Sequence, residues 1–305
     1  MTDLGVTTLK TGEGYAGFRG YRTWYRVTGD LGGRKPPLVT LHGGPGGSHD
    51  YLENLASFAA DGRAVVHYDQ VGGGRSTHLK DIGKDFWTVD LFLDELDNLL
   101  AHLGIQKRYH LLGQSWGGML GAEHAVRRPK GLRSLVIADS PASMELWVKE
   151  ADRLRLALPP DVQATLLKHE AAGTTNSPDY AKAVRVFYER HLCRSKPWPE
   201  ALDRSFALME QDPTVYQTMN GPSEFHVIGS LKSWSIIDRL DRIETPTLIL
   251  SGRHDEATPA TVQPYADRIP GARWTIFENS SHTPHLEEAE LYLKTVGAFL
   301  AAHDD

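Results

Sequence analysis

The sequence has 305 residues, of which 40% are hydrophobic and 24% charged, a composition typical of a globular protein that can bury a sizeable core. Its formal net charge at pH 7 is −6 and no run of five like charges occurs, which argues against nucleic acid as a partner. No apolar stretch approaches the roughly 18 residues that cross a bilayer, so we expect no association with a membrane.

Short apolar runs alternate with helical patterns in the first 140 residues. Five of these runs are predicted strands: YRTWYRV (21–27), PPLVTLHGG (36–44), RAVVHYDQ (63–70), YHLLGQS (109–115) and SLVIADS (134–140). Three segments between them have the three- and four-residue apolar spacing of helices: DYLENLASFAA (50–60), LFLDELDNLLAHLG (91–104) and GGMLGAEHAVRRP (117–129). Strands that alternate with helices predict a mainly parallel central sheet, so the predicted fold class is α/β.

The pattern changes after Pro141. Up to about Leu240 it is helical, in segments such as SMELWVKEADRLRLAL, DVQATLLKHEAA and YAKAVRVFYERHL. The α/β pattern returns with TPTLILSG (245–252), a helix near 260–269, ARWTIFE (272–278) and a final helix, LYLKTVGAFLAA. A helical insertion between two halves of one sheet predicts a cap over the carboxyl edge of the sheet, where open α/β sheets bind ligands. We therefore predict a core of residues 1–140 and 241–305 and an all-helical cap of residues 141–240.

The segment GQSWG (113–117) is a G-x-S-x-G pattern that follows a predicted strand and begins a predicted helix. This strand-turn-helix context is typical of a nucleophile elbow, in which the serine lies exposed above the sheet. The small residues Gly113 and Gly117 would let the tight turn approach neighbouring backbone. Ser115 is therefore the predicted nucleophile, and the alternative is a serine that caps a helix.

A serine nucleophile needs a base, and the base needs an acid that orients it. Asp255 follows the strand TPTLIL and His282 follows ARWTIFE, in the chain order that this architecture requires. They are the predicted acid and base. His285 is a local rival for His282, and His254 and Asp139 are weaker candidates. His282 and His285 lack a matching third ligand, so no metal is expected.

The loop HGGPGG (42–47) follows the predicted strand PPLVTL and has backbone N–H groups that no side chain obstructs. The N–H groups of Gly44 and Trp116 are the predicted donors of an oxyanion hole. A glycine-rich loop could bind phosphate instead, but neither a G-x-x-x-x-G-K-[ST] pattern nor a dinucleotide fingerprint occurs. No cofactor is expected.

The motifs HGGPGG, YDQVGGGRS, GQSWGG, NGPSEF and SGRHDEATP occur in this order along the chain. Together they resemble the proline iminopeptidase family of α/β-hydrolases, and particularly its branch of L-amino-acid amidases and L-proline amide hydrolases. The resemblance implies an α/β-hydrolase fold with a cap and a metal-free triad of Ser115, Asp255 and His282. It also implies oxyanion donors at Gly44 and Trp116, and release of an unblocked N-terminal residue that is often proline.

The resemblance further implies two acidic residues that hold the free amine of the substrate, Glu256 in HDEATP and Glu224 in NGPSEF. A cationic amine that leaves water needs compensating carboxylates, and such a pair would reject N-acylated substrates. Gln114 is a departure, because many iminopeptidases carry glycine at this position. Aromatic residues that could hold a proline ring, such as Trp116, Phe225 and Trp234, are by composition more typical of a core.

The predicted function is cleavage of the amide or peptide bond after an unblocked N-terminal residue, preferably L-proline, in amino-acid amides or short peptides. Another reaction on the same fold, notably ester hydrolysis, is the main alternative. A non-catalytic ligand sensor and a metallo-amidase are two more. The start, MTDLGVTTLKTGEG, lacks signal-peptide features, and the one cysteine, Cys193, suits a reducing compartment, so we expect a cytoplasmic protein. The oligomeric state is left open.

Overall fold

A computed structural model of the chain describes residues 11–305. The predicted lack of a signal peptide depends on the first residues, of which 1–10 lie outside this range. One sheet has the strand order β1-β2-β4-β3-β5-β6-β7-β8. The strands are β1 (Thr11–Phe18), β2 (Tyr21–Thr28), β3 (Leu38–Leu41), β4 (Val65–Tyr68), β5 (Tyr109–Gln114), β6 (Leu132–Ala138), β7 (Thr247–Gly252) and β8 (Arg273–Phe277).

The sheet is mainly parallel, as predicted. All neighbouring pairs from β4 to β8 are parallel, whereas β2 is antiparallel to both β1 and β4. Every residue of β3, β4, β5 and β7 is buried, which is typical of parallel strands covered by helices on both faces. The prediction of an α/β fold is confirmed.

Strand β1 is not among the predicted strands. Its sequence, TGEGYAGF, includes three glycines, which weaken the β signal. It forms because it pairs with β2 along its whole length, from Thr11 opposite Thr28 to Phe18 opposite Tyr21. The tight turn between the two strands has positive φ angles at Arg19 and Gly20, so pairing with β2 overrides the weak local propensity.

Ten α-helices lie in the described part of the chain. Those packed with the sheet are α1 (Val89–His102), α2 (Trp116–Val126), α8 (Pro259–Arg268), α9 (Pro284–Glu287) and α10 (Ala289–Ala301). Those between β6 and β7 are α3 (Met144–Arg155), α4 (Pro160–Ala172), α5 (Pro178–His191), α6 (Glu200–Gln211) and α7 (Thr214–Met219). The segment predicted as a helix at 50–60 is a 3-10 helix, Asp50–Asp61. Apolar spacings of three and four residues suit both helix types, so the pattern alone does not separate them.

Helices α3, α4 and α5 share a small apolar core of their own, whereas α6 and α7 contribute to the two larger cores. The buried members of the small core include Leu166, Tyr180, Val184, Phe187 and Phe225. The exact limits of the cap at residues 141 and 240 stay a prediction. Within residues 11–305, no helix is both long and apolar enough to span a membrane.

Candidate active site

Ser115 lies in the sharp turn between β5 and α2. Its backbone has φ 56° and ψ −122°, a strained conformation typical of a nucleophile elbow. A Cβ on Gly113 would lie 2.0 Å from the carbonyl oxygen of Gly117, and a Cβ on Gly117 would lie 2.0 Å from that of Leu41. Both positions therefore require glycine, because α2 starts in direct contact with the ends of β3 and β5.

The loops after β7 and β8 bring Asp255 and His282 together. His282 Nδ1 is 2.6 Å from Asp255 Oδ1, and this oxygen also accepts the N–H of Ala257 at 2.7 Å. Burial disfavours the charged imidazole, but the negative charges of Asp255 and Glu224 outweigh it, so the pKa of His282 is raised. Asp255 is thus placed to orient His282 and to stabilise its imidazolium.

Ser115 and His282 line the same cavity. Among the described residues, the structure contains no hydrogen bond between the Ser115 hydroxyl and the His282 ring. In serine hydrolases this contact often tightens only when a substrate is bound. The structure therefore brings the three predicted triad residues to one site, with the acid–base pair already formed.

The rival histidines have other environments. His285 is buried and its Nε2 contacts the carbonyl oxygen of Tyr51 at 3.1 Å. Burial lowers the pKa of His285 to about 3, so the ring is neutral and holds the backbone at Tyr51. His254 is exposed on the surface. Neither side chain lines the cavity that Ser115 and His282 share.

Asp139, a weaker candidate in the sequence, lies directly beside the triad acid. It follows β6, has φ 51°, and its Oδ1 accepts the N–H of Gly252 at 3.1 Å. Burial raises its pKa well above the usual range, and the neighbouring charge of Asp255 raises it further. Asp139 is thus a carboxyl group that keeps its proton beside the triad acid.

The predicted oxyanion donors lie next to the nucleophile. Gly44 has φ 117°, and its N–H makes no hydrogen bond to any described residue. Trp116 is the first residue of α2, where backbone N–H groups have no acceptor within the helix. Both residues and Ser115 line one cavity of about 270 Å³. The N–H of Gly43, in contrast, donates to the Tyr51 hydroxyl at 2.6 Å.

The motif after β4 braces the oxyanion loop. The N–H of Gln70 donates to His42 Nε2 at 3.0 Å, and His42 Nδ1 is 2.8 Å from the carbonyl oxygen of Gly43. Burial lowers the pKa of His42, so its ring is neutral and can accept at one nitrogen and donate at the other. The indole of Trp116 donates to Gln70 Oε1 at 2.8 Å. Gln70 therefore joins the oxyanion loop to the start of α2.

Glu224 and Glu256 line the same cavity as Ser115. Glu256 is 1% exposed, neither of its carboxyl oxygens has a hydrogen-bond partner, and Oε1 is 3.9 Å from His282 Nε2. Glu224 Oε1 accepts the hydroxyl of Tyr216 at 2.6 Å. In the described part of the chain, no lysine or arginine lies within 4 Å of either carboxyl group.

Burial raises the pKa of both glutamates, and the charges of Glu224 and Asp255 raise that of Glu256 further. Two buried carboxyl groups without a cation are costly as carboxylates, and an ammonium group between them would supply the missing charge. The arrangement can therefore bind a primary or secondary ammonium group beside the nucleophile.

Two connected cavities flank Ser115. The larger, of about 480 Å³, has an apolar wall from the cap side that includes Leu192, Leu202, Phe206 and Met209. The smaller contains the oxyanion donors and an apolar wall of Met119, Met144, Trp147 and Leu231.

Of the aromatic residues that the sequence brought forward, Trp116 lines the smaller cavity, whereas Phe225 and Trp234 line neither cavity. Phe225 packs on Phe187, with ring centroids 4.8 Å apart, and the indole of Trp234 donates to Glu123 at 2.8 Å. Trp147 instead lies edge-on to the ring of His282 at 6.2 Å. Sequence reasoning missed Trp147 because its place in a helical pattern gives no indication of what that helix faces.

One group of side chains in the described residues has the spacing of a metal site: His49, Asp50 and Glu53. Its carboxylates are already paired, because Arg204 lies 2.8 Å from Asp50 and 2.7 Å from Glu53. His49 Nδ1 lies 2.8 Å from Asp69. The group is an ion-pair network that connects the 3-10 helix to the cap.

Comparisons with known proteins agree with this geometry. Residues 36–289 match the family described as the alpha/beta hydrolase fold. The proline iminopeptidase of Lactobacillus helveticus is 39% identical over 297 residues, which are 96% of this chain and 99% of that protein. The crystal structure of proline iminopeptidase from Mycobacterium smegmatis has a TM-score of 0.89 at 52% identity, and that of VinJ has 0.94 at 58%. Each of these two alignments covers 96% of this chain and 99% of the other.

Proposed function

This chain belongs to the proline iminopeptidase family of α/β-hydrolases, and we propose that it cleaves the amide or peptide bond after an unblocked N-terminal L-proline. The protein is a hydrolase. The proposed substrates are amino-acid amides and short peptides. The proposed site consists of the triad, the two oxyanion donors and the two amine-binding residues, which are Ser115, Asp255, His282, Gly44, Trp116, Glu224 and Glu256. A cytoplasmic location is also proposed, supported by the single, buried Cys193.

The observation that carries this proposal is the pair of glutamates at the nucleophile, of which Glu256 is buried and Glu224 partly buried, with no lysine or arginine beside either carboxyl group in the described residues. Glu256 Oε1 lies 3.9 Å from the proposed catalytic base, so an ammonium group held there would be within a few ångströms of the reacting centre. In an α-amino amide, the scissile carbonyl is two bonds from the amine. An ammonium group bound by Glu224 and Glu256 would therefore bring that carbonyl to Ser115.

In the proposed reaction, Ser115 Oγ attacks the carbonyl carbon while His282 Nε2 accepts the hydroxyl proton. The N–H groups of Gly44 and Trp116 stabilise the oxyanion of the tetrahedral intermediate. The bond to the leaving nitrogen then breaks, and His282 returns the proton to that nitrogen. Water attacks the resulting prolyl ester by the same steps in reverse and releases proline and free Ser115.

The cap supports small substrates. The cavity at Ser115 is bounded on one side by residues of α6, including Leu202 and Phe206. This wall would block a folded protein chain but would leave the site open to a residue with a short leaving group.

The test is ammonia release from L-prolinamide and from N-acetyl-L-prolinamide, with Ser115→Ala as the blank. We expect release from the free amine only, because acetylation removes the positive charge that the glutamates bind. Glu256→Gln should lower kcat/KM for L-prolinamide by at least a hundredfold and leave the rate of Ser115 phosphonylation by a fluorophosphonate within about threefold. Equal cleavage of both amides would overturn the proposed specificity and favour a general amidase or esterase.

A further inference from the structure

A chain of hydrogen bonds through Tyr51 and Gln114 joins the oxyanion loop to the loop of the catalytic base. The N–H of Gly43 donates to the Tyr51 hydroxyl at 2.6 Å, and this hydroxyl donates to Gln114 Oε1 at 2.6 Å. Gln114 Nε2 then donates to the carbonyl oxygen of His282 at 2.9 Å. The chain therefore connects the loops that follow β3 and β8 through the 3-10 helix and the last residue of β5.

We propose that Gln114 and Tyr51 are positioning residues that hold the loop of His282 and the oxyanion loop in register with the nucleophile. The proposal deepens the amide cleavage proposed above and rests on it. It also assigns a role to Gln114, the residue at which this sequence departs from many iminopeptidases.

The direction of the hydrogen bonds follows from chemistry. A backbone N–H can only donate, so the Tyr51 hydroxyl accepts from Gly43 and its own proton is free for Gln114. Gln114 Oε1 must then be the acceptor, which turns Nε2 towards the carbonyl oxygen of His282. Since a carbonyl oxygen can only accept, every donor in the chain meets an acceptor. No other orientation of the Gln114 amide satisfies both neighbours.

Because these hydrogen bonds are buried, they strongly constrain the positions of the two loops that they join. Tyr51 is 6% and Gln114 is 2% exposed. If either side chain lost its hydrogen-bond partner, water would not fully replace that partner, and a buried polar group would be left unsatisfied. Tyr51 is held at its own backbone as well, where His285 Nε2 contacts its carbonyl oxygen at 3.1 Å. The hydroxyl of Tyr51 is therefore held in place, and it positions the oxyanion loop directly and the loop of His282 through Gln114.

The chain also determines which N–H group faces the substrate. Tyr51 occupies the N–H of Gly43, so in the oxyanion loop the N–H of Gly44 remains for the oxyanion. At the other end, Gln114 fixes the backbone of His282, whose ring is held separately by Asp255 at 2.6 Å. Small shifts of either loop would misalign donor or base with Ser115, and such shifts are costly for reaction rates.

The variants Tyr51→Phe and Gln114→Met break the chain with little change in shape. We expect each to lower kcat for L-prolinamide at least tenfold, while KM changes less than about threefold. Tyr68→Phe is the matched control, because Tyr68 is also buried and its hydroxyl has no hydrogen-bond partner in the described residues. Its kcat should stay within about twofold of the wild-type value.

A double variant tests whether the two residues act as one chain. Tyr51→Phe combined with Gln114→Met should be no more than about threefold slower than the slower single variant, because the second substitution breaks a chain already broken. Multiplied effects would overturn the proposal, as would a rise in KM with unchanged kcat. An unchanged kcat per folded molecule, with only a lower Tm, would reduce both residues to a structural role.

Phosphonylation of Ser115 by a fluorophosphonate separates this proposal from the proposed substrate, because that reaction needs the base and oxyanion donors but no ammonium group. If wild type fails on L-prolinamide yet is phosphonylated tenfold faster than the variants, the substrate is wrong and the chain stands. If wild type cleaves L-prolinamide and the variants match it in both reactions, the chain is wrong. Should Tyr51→Phe not fold, Gln114→Glu serves in its place, since it keeps an acceptor for Tyr51 and loses the donor to His282.

Discussion

Asp139 and Asp255 follow neighbouring strands, β6 and β7, and each has one buried carboxyl oxygen, Oδ2, without a hydrogen-bond partner among the described residues. Only one of them can be ionised at low cost, because two carboxylates in contact repel each other in a medium of low dielectric constant. Asp255 Oδ1 accepts the N–H of Ala257 and lies 2.6 Å from His282 Nδ1, whereas burial raises the pKa of Asp139 well above the usual range. We therefore expect Asp139 to hold a proton that it can donate to the triad acid.

Replacement of Asp139 tests this protonation state. Asp139→Asn keeps a donor to Asp255 and an acceptor for the N–H of Gly252, so kcat/KM for L-prolinamide should stay within about threefold. Asp139→Ala leaves Asp255 without that donor and should lower kcat/KM at least tenfold. The other ionisable groups near Asp139 are Glu287, Tyr51 and Tyr292.

The pH profile of Asp139→Asn is the sharper measurement. A neutral Asp139 contributes no charge, so the acidic limb of kcat/KM should coincide with that of wild type. If Asp139 were a carboxylate, its loss would lower the pKa of His282 and shift the acidic limb to lower pH. A shift of more than about 0.5 pH unit would therefore contradict the prediction.

The glutamates predict a second pH effect. Their pKa values are raised, so they keep their protons to a higher pH than ordinary glutamates, and they must release these protons to bind an ammonium group. The kcat/KM for L-prolinamide should therefore rise with pH through the ionisation of Glu256 as well as that of His282. Ser115 phosphonylation depends on His282 alone, and its acidic limb should lie at lower pH.

Comparison of the two limbs, in wild type and in Glu256→Gln, checks this prediction. The variant binds the amide weakly, but its remaining activity should follow the phosphonylation limb more closely than that of wild type does. If the two acidic limbs coincided in wild type, the glutamates would already be ionised at the pH at which His282 loses its proton. The prediction would then be wrong.

At the scale of elements, helix α6 connects the cap to the core. Arg204 on this helix pairs with Asp50 at 2.8 Å and with Glu53 at 2.7 Å, and the hydroxyl oxygens of Ser205 and Ser48 lie 3.1 Å apart. The neighbouring residues Leu202, Phe206 and Met209 form the apolar wall of the larger cavity. The position of that wall therefore depends on a polar contact with the 3-10 helix of the core.

We expect Arg204→Gln to loosen α6. Asp50 is fully buried, and the pKa of its carboxyl is lowered by hydrogen bonds to Arg204, Ser48 and Arg75, which outweigh its burial. Because Arg204 is partly exposed and Arg75 remains, the free energy of unfolding should fall by only about 1 kcal/mol. KM for L-prolinamide should rise by about threefold or more, as the cavity wall becomes less well positioned.

Lys182→Gln on α5 is the control for Arg204→Gln. Lys182 is also a cation of the cap, but its pair with Asp179 is 3.8 Å long and 81% of the lysine side chain is exposed. Urea denaturation and steady-state kinetics should both match wild type. If the two variants behaved alike, α6 would not depend on Arg204.

Whether a strand or helix was predicted correctly depends on how strong its local sequence pattern is. Apolar runs such as PPLVTLHGG predict strands within a few residues because burial on both faces selects β-branched side chains. Strand β1 has no such run, and α6 was not among the helices that the sequence brought forward. The partners of Arg204 lie about 150 residues earlier in the chain, and a single sequence does not contain that pairing.

For the whole molecule, the parallel sheet made the site predictable. Gly44, Ser115, Asp255 and His282 follow β3, β5, β7 and β8, and the carboxyl ends of parallel strands meet at one edge. The same argument applies to Asp139 after β6, which the sequence placed among the weaker candidates. The chain through Tyr51 and Gln114 was not predictable, because it depends on side-chain orientations that the strand order does not determine.

A buried acid far from the proposed chemistry connects three parts of the fold. Glu95 of α1 accepts the N–H of Val71 at 2.9 Å and contacts the hydroxyl of Thr23 in β2. Burial is the main cause that raises the pKa of Glu95 to about 8, and the bonds from Thr23 and Val71 only partly oppose it. At neutral pH the folded protein therefore holds a proton on Glu95 that the unfolded chain has released.

This difference makes global stability depend on pH. Where the folded state binds more protons than the unfolded state, the free energy of unfolding falls as pH rises. The window for Glu95 extends from the ordinary glutamate pKa of 4.5 to about 8, and the slope is at most about 1.4 kcal/mol per pH unit. Glu95→Gln keeps a side-chain oxygen that can accept from Thr23 and Val71, and it has no proton to lose.

The variant Glu95→Gln should therefore gain stability over wild type as pH rises from 5 to 8, because only wild type loses stability to this ionisation. Urea denaturation of both proteins at several pH values measures the difference, and subtracting the two curves cancels the titration of all other groups. Glu290→Gln, at an exposed position on α10, is the control and should show no such trend. A constant difference between Glu95→Gln and wild type across this range would mean that Glu95 is ionised in the folded protein.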